Sequence, residues 1–138
     1  MIRIEVPVPG GRSYPVLVGP GTSGDLASVL PSGVQRVAVV TQPDIPVAVD
    51  PGVDHRVFFI PDGEAAKTLS TIEELCRAFV AWGLTRGDTV VGVGGGVVTD
   101  VAGFAAASYH RGLPVVHVAT TLLAQIDAAI GGKTGVNL

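Results

Sequence analysis

The N-terminal residues alternate between apolar and polar side chains. Residues 2–6 follow this period of two, which predicts a half-buried β-strand. A Pro-Gly-Gly sequence at 9–11 is typical of a turn, and residues 14–18 form a second predicted strand. The chain is therefore predicted to open with a β-hairpin.

The following residues alternate between predicted helices and buried strands. A short helix is predicted at 25–30 and a strand at 34–40, then a proline-rich loop at 43–52 and a strand at 56–60. Further strands are predicted at 88–93 and 114–119, with helices at 97–108 and 121–130. This alternation favours an α/β fold with a Rossmann-like, mostly parallel sheet and helices on both faces.

The clearest single helix lies between the strands at 56–60 and 88–93. Ser70 and Glu73 have the spacing of a capping box, and Gly83 stands where a C-terminal cap is expected. One apolar face recurs at helical spacing and consists of Ile72, Leu75, Cys76 and Phe79. Cys76 is therefore predicted to be a core residue and not a reactive thiol.

Composition narrows the class of protein. The 138 residues fit one domain, which we place at 1–138. The mean hydropathy of +0.50 is high, but no run of 18 apolar residues occurs, so a transmembrane helix is not expected. The N-terminus lacks the order of a signal peptide, so a cytoplasmic protein is expected. A net charge of −3 without a basic cluster argues against nucleic acid as partner, and the lack of a long apolar run argues against a membrane.

A glycine triplet is the first candidate site. Gly94, Gly95 and Gly96 follow a predicted buried strand and open a helix, and such a turn lets a phosphate approach backbone N–H groups at the positive end of the helix dipole. The pattern departs from the usual dinucleotide fingerprint because the third glycine position falls on Val97. The alternative is a tight turn without a ligand.

A second glycine-rich sequence contains Lys133. Gly132-Lys133-Thr134 resembles the end of a phosphate-binding loop. That motif, however, needs a glycine five residues before Gly132, where this chain has Asp127, and it needs a preceding strand. We exclude that motif. Lys133 is either an anion ligand or a solvated surface lysine.

Polar residues follow two other predicted strands. Asp62, Glu64 and Lys67 come after the strand that ends at 60, and Thr120 and Thr121 come after the strand that ends at 119. Ligands of open α/β sheets bind beyond these carboxyl ends. The alternatives are a charged turn for the first group and a helix cap for the second. The three histidines have no metal-ligand spacing.

Taken together, these sequences resemble dehydroquinate synthase, a sugar phosphate cyclase, in order and spacing. The resemblance covers the whole chain and rests on the segments at 61–67, 94–106, 109–112, 120–125 and 131–137. It implies that the chain is the N-terminal nucleotide-binding domain, and that a helical, metal-binding domain of the family lies beyond Leu138.

The resemblance also implies a reaction. Enzymes of this family convert a seven-carbon sugar-acid phosphate, deoxy-arabino-heptulosonate phosphate, to dehydroquinate and phosphate in the shikimate pathway of aromatic amino acid biosynthesis. They are carbon–oxygen lyases that use NAD transiently and a divalent metal, usually zinc, in a cytoplasmic homodimer. Because the metal ligands would lie beyond Leu138, no metal ligand is expected here, and the chain alone is expected to be inactive.

Residue by residue, the resemblance implies three groups. Asp127 and Lys133 match residues near the substrate, and Arg111 matches an arginine that reaches the substrate phosphate of the neighbouring subunit. Asp62, Glu64 and Lys67 match contacts to a nucleoside end of NAD. The full implied cofactor set is Gln42, Asp62, Gly63, Glu64, Lys67, Gly95, Gly96, Val97, Val98, Thr99, Asp100, Thr120, Thr121 and Lys133.

Some positions depart from the family, and other functions stay open. Gln42 replaces an aspartate that binds the adenine ribose in many relatives, and Thr99 replaces a glycine. Alternatives are another sugar phosphate cyclase, a metal-dependent alcohol dehydrogenase, or a non-catalytic NAD-binding or dimerisation module.

Overall fold

A computed structural model describes residues 1–138, with six strands and three α-helices. The strands are β1 (Ile2–Val8), β2 (Arg12–Val18), β3 (Arg36–Thr41), β4 (Asp54–Phe59), β5 (Thr89–Gly94) and β6 (Val115–Ala119). The α-helices are α1 (Leu26–Val29), α2 (Leu69–Trp82) and α3 (Gly96–Ser108). Short 3₁₀ turns lie at Thr22–Asp25, Glu64–Ala66 and Tyr109–Arg111, and a π-helical turn lies at Ala124–Ala128. No helix combines the length and apolarity needed to cross a bilayer.

The predicted hairpin is confirmed as a separate two-stranded sheet. β1 and β2 pair antiparallel, with Ile2 opposite Val18 and Ile4 opposite Val16. The prediction that the first strand is half-buried is wrong, because Ile2 and Ile4 keep 62% and 49% of their surface exposed. The hairpin does not pair with the main sheet, and this end of its apolar face stays exposed.

The α/β fold is confirmed by the main sheet, in which four parallel strands follow the order β4-β3-β5-β6. From β3 the chain moves outward to β4 and then crosses back to β5 on the other side of β3. The strand order therefore reverses between β3 and β5. Ligands of open α/β sheets bind at such a reversal, beyond the carboxyl ends of the strands.

The two faces of this sheet are covered unequally. On one face α2 and α3 bury the larger core around Phe79, which packs edge-to-face on Phe58 and Tyr109. On the other face α1 and the segment 42–53 cover a smaller cluster of valines from β3 and β5. The connection from β3 to β4 contains no helix, so α1 is the only α-helix on that face.

Helix α2 has the predicted apolar face but a different start. The Oγ1 of Thr68 accepts the backbone N–H of Thr71 at 3.2 Å, so Thr68 is the N-cap, and the predicted capping box at Ser70 and Glu73 is wrong. The extended backbone of Thr68 lets the helix begin at Leu69, which places Ser70 inside it. Gly83 forms the predicted C-cap in the left-handed region, at φ 86°.

The helix predicted at 121–130 is shorter than expected. Thr121 caps its start through Oγ1, which accepts the backbone N–H of Ala124 at 3.2 Å. The chain then widens into the π-helical turn, in which Ala129 N–H donates to Ala124 O. Gly131 and Gly132 follow at φ 90° and 71°, values that end a helix.

Candidate active site

The glycine triplet lies at the strand-order reversal, where β5 ends and α3 begins. A Cβ atom on Gly94 would lie 2.6 Å from Val98 Cγ2 and 2.7 Å from Ile45 Cδ1, so a larger residue does not fit. A Cβ on Gly95 would lie 3.0 Å from Thr121 Cγ2. The absence of side chains here allows α3 and the residues after β6 to approach the end of β5 closely.

The N-terminus of α3 opens at this turn without a side-chain cap. Gly95 is the N-cap residue, and no side chain accepts a hydrogen bond from the first turn. The first backbone N–H groups of a helix have no intrahelical partner and carry a partial positive charge. This arrangement can bind an anion such as a phosphate.

The predicted contacts within α3 differ in what they expose. The side chains of Val98 and Thr99 are 0% and 1% exposed, and Thr99 Oγ1 donates to Gly96 O at 3.2 Å. Only their backbone atoms could therefore meet a ligand. Asp100 is about one-fifth exposed, and it lines a cleft beside α3 that Asp127 and Lys133 also line.

Lys67 connects this helix to the segment after β4. Its Nζ lies 2.8 Å from Asp100 Oδ2 and 3.9 Å from Glu64 Oε1. The hydrogen bond to Asp100 raises the pKa of Lys67, an effect that burial opposes and the charges of Asp100 and Glu64 reinforce. Three of the predicted cofactor residues are thus brought together as one charged group.

Asn137 adds two contacts that we did not predict. Its Nδ2 donates to Glu64 Oε1 at 3.0 Å, and its backbone N–H donates to Lys67 O at 2.7 Å. No sequence pattern indicated these contacts, because the C-terminal residues have no regular secondary structure.

Gln42 and Asp62 lie beyond the carboxyl ends of β3 and β4. Gln42 Nε2 donates to Pro61 O at 2.9 Å. Asp62, the residue after Pro61, is exposed. Gly63 has a φ of 71° and turns the chain toward Glu64. Thr120 lies beside the glycine turn, where its backbone N–H donates to Gly94 O at 3.0 Å. Each of these predicted positions therefore lies at the edge of the sheet where the parallel strands end.

Asp127 and Lys133 lie across a cleft from Asp100 of α3. Lys133 Nζ is 3.4 Å from Asp127 Oδ1, and both side chains are largely exposed. A cleft of about 250 Å³ separates them from α3, and it is lined by Asp100, Asp127, Ala128, Lys133, Thr134 and Gly135. The structure thus brings together an acid, a lysine and the uncapped helix end.

Arg111 does not join this cluster. It lies in the turn after α3, at the opposite end of the helix from Gly96 and about 20 Å away at the usual helical rise. Both His110 and Arg111 have positive φ, 45° and 66°, which is unusual for residues other than glycine. Arg111 could therefore contact only the cleft of another molecule, not the cleft of its own chain.

His117 lies on β6 beneath the cleft. Its Nδ1 atom is buried without a hydrogen-bond partner, and it would lie 3.3 Å from a Cβ on Gly92. Burial lowers the pKa of His117, and the charge of Asp100 partly opposes this effect. His55 and His110 are exposed elsewhere. No three His, Cys, Asp or Glu side chains cluster as a metal site.

Comparison with known proteins identifies the family to which this chain belongs. A sequence model described as the N-terminal part of 3-dehydroquinate synthase matches residues 57–138, more than half of the chain. A protein from Amycolatopsis mediterranei named "Putative aminodehydroquinate synthase" is 50% identical over 99% of this chain and 40% of its own. The 3-dehydroquinate synthase of Mycolicibacterium vanbaalenii is 43% identical over 97% of this chain and 39% of its own.

A solved structure agrees with the fold. The crystal structure of 2-deoxy-scyllo-inosose synthase with carbaglucose-6-phosphate, NAD⁺ and Co²⁺ superposes with a TM-score of 0.87 at 26% identity, over 99% of this chain and 40% of that one. The chain therefore spans about 40% of the length of the relatives that it matches. By its sequence match and its fold, the chain belongs to the 3-dehydroquinate synthase family and corresponds to the N-terminal region of its members.

Proposed function

We propose that this chain is the NAD-binding part of a dehydroquinate synthase, the lyase that converts deoxy-arabino-heptulosonate phosphate to dehydroquinate and phosphate. The observation that carries the proposal is the uncapped N-terminus of α3, directly after a glycine turn too crowded for any Cβ at Gly94. The family supports the reaction, and a related cyclase was crystallised with NAD⁺ and a sugar phosphate analogue.

The residues present fit NAD. Its pyrophosphate would accept hydrogen bonds from the first N–H groups of α3, where the helix dipole favours negative charge. Glu64 and Lys67 lie on the β4 side of this point, and Asp127 and Lys133 on the other. Two ends of a dinucleotide could therefore extend in opposite directions from one phosphate site.

The β4 side suits the adenosine half. Gln42, Asp62 and Glu64 offer amide and carboxylate oxygens to ribose hydroxyls, and Gln42 still accepts such a bond although many family members have an aspartate there. The Lys67–Asp100 ion pair ties the segment that carries Glu64 to α3.

The Asp127 side suits the reacting half. NAD, when bound, would supply reversible removal of hydride from the carbon that bears a substrate hydroxyl. Lys133 presents an ammonium group 3.4 Å from Asp127, and such a group binds a substrate carboxylate or phosphate as a point charge. The 250 Å³ cleft between them and α3 gives a small sugar acid room to lie beside Asp100.

The residues present do not fit the divalent metal of the family. No cluster of three acidic, histidine or cysteine side chains exists in this chain, so no step is assigned to a metal here. We propose accordingly that these 138 residues bind NAD but have no cyclase activity alone. Taken by itself, the chain would then act as a nucleotide-binding module.

A second substrate is favoured by one observation. The relative that is 50% identical carries the name of an aminodehydroquinate synthase, and it is more similar than the dehydroquinate synthase that is 43% identical. An amino sugar phosphate is therefore the second candidate substrate. Assays of both substrates with a protein that spans the full length of these relatives would separate the two.

Assembly and location follow the family. We propose a cytoplasmic homodimer in which Arg111, remote from the cleft of its own chain, meets the substrate phosphate in the neighbouring subunit. Sedimentation of the purified chain at several concentrations would test the dimer.

The test of NAD binding is calorimetric titration of the purified chain. We expect saturable one-to-one binding, and a loss of at least tenfold in affinity for Gly95→Val, which would push a branched side chain against Thr121 and into the phosphate site. Arg77→Ala, an exposed position on α2, is the matched control and should bind as the wild type. A folded wild-type chain that binds no NAD would contradict the proposal.

A further inference from the structure

The C-terminal residues form a strap across the cofactor cleft; we define this strap as residues 131–138. Gly131 N–H donates to Tyr14 Oη of the hairpin at 3.2 Å. Thr134 occupies the space above Gly103 of α3, where a Cβ would lie 2.3 Å from Thr134 Cγ2. Val136 packs against the larger core. The strap therefore has fixed points before it reaches the β4 side.

Near the far end of the strap, Asn137 makes two hydrogen bonds to the segment after β4. Its backbone N–H donates to Lys67 O at 2.7 Å, and its Nδ2 donates to Glu64 Oε1 at 3.0 Å. Lys67 in turn reaches back to Asp100 on α3 at 2.8 Å. The cleft is thus bridged twice, once by the strap and once by the ion pair.

Glu64 has little else to hold it. Its side chain is 67% exposed, and the only other polar partner of its carboxylate is Lys67 Nζ at 3.9 Å, beyond hydrogen-bond distance. An exposed glutamate loses rotamer freedom when it binds a ligand. A hydrogen bond from Asn137 removes part of that cost, because it holds the carboxylate in one direction before the ligand arrives.

We infer that Asn137 is a positioning residue: it orients Glu64 for the ribose of the adenosine half and thereby couples the strap to nucleotide affinity. This role rests on the proposed NAD binding. It assigns a function to a residue of the strap that does not itself line the cleft with Asp127 and Lys133.

The test is binding of NAD and of its two halves. Asn137→Ala should weaken NAD and adenosine monophosphate by about two- to tenfold, the cost of ordering one flexible side chain on binding, and leave nicotinamide mononucleotide unchanged. Leu138→Ala is the matched control, since that side chain is fully exposed on the next residue of the strap. Equal weakening of both halves would show that Asn137 only holds the fold, and would overturn the inference.

A double-mutant cycle separates orientation from direct contact. If Asn137 acts through Glu64, Asn137→Ala should cause no further loss of NAD affinity in a Glu64→Ala background. An additive loss would overturn the role. A folded wild-type chain that binds neither NAD nor adenosine monophosphate would overturn the proposed function together with this role, whereas wild-type binding that Asn137→Ala leaves unchanged would overturn the role alone.

Discussion

Lys67 Nζ lies 2.8 Å from Asp100 Oδ2, and this contact joins the segment after β4 to the first turns of α3. Both side chains are about one-fifth exposed, so water screens the pair less than it screens an ion pair on the surface. The pair lies beside the cleft that Asp100 lines, and it holds together two elements that come from different parts of the chain.

Removing the ammonium group of Lys67 should lower stability measurably. Lys67→Met keeps most of the aliphatic stem and leaves Asp100 without its partner, at an expected cost on the order of 1–2 kcal/mol in urea unfolding. Arg77→Met is the control, because its ion pair with Glu73 is exposed and is worth roughly 0.3–0.5 kcal/mol. Equal losses in the two variants would show that partial burial adds nothing to the Lys67–Asp100 pair.

The glycine turn should tolerate no Cβ at its first position. Gly94→Ala would place that atom 2.6 Å from Val98 and 2.7 Å from Ile45, so we expect a loss of roughly 1–3 kcal/mol in free energy of unfolding. Gly24→Ala is the matched control, since nothing lies within 4 Å of its Cβ. A Gly94→Ala chain as stable as Gly24→Ala would mean that the turn relaxes freely.

The sequence predicts the sheet and the glycine turn well, because buried parallel strands are continuous apolar runs and the turn needs residues without a Cβ. It predicts the ends of elements less well. Thr68 and Ser70 are both good N-caps, and only the path of the chain after Ala66 decides that Thr68 is used. The contacts of Asn137 were beyond prediction, because they join distant residues through a segment without periodicity.

Burial of His117 should make stability depend on pH. Burial lowers its folded pKa below the ordinary value of 6.5, so the unfolded chain takes up a proton first as the pH falls. Stability from this group is therefore complete above about pH 6.5 and is lost below it, by up to about 1.4 kcal/mol per pH unit. Asp100 is the charged group that acts on His117, and it reduces the effect.

The measurement for His117 is urea unfolding between pH 7.5 and 5.5. His117→Gln should flatten the decline in stability, and His55→Gln, at an exposed position on β4, should not. The same slope in the wild type and in His117→Gln would assign the decline to other groups.

Cys76 should behave as a core residue. It lies on the apolar face of α2 against the larger core, and burial raises the pKa of its thiol, which leaves less reactive thiolate at neutral pH. We expect a thiol reagent such as dithionitrobenzoate to react at least about tenfold more slowly with the native chain than with the chain in urea. Equal rates would mean that the thiol is accessible in the folded protein.

The turn that carries Arg111 should be strained. Arg111 has φ 66°, and a left-handed conformation costs a residue with a Cβ roughly 1–2 kcal/mol. Arg111→Gly should therefore be more stable than Arg111→Ala by about 1 kcal/mol, because both remove the guanidinium and only glycine removes the strain. Thermal unfolding of the two variants measures the difference. If Arg111→Ala were as stable as Arg111→Gly, the left-handed conformation at this position would cost nothing. The strain could then no longer be used to argue that Arg111 has a binding role.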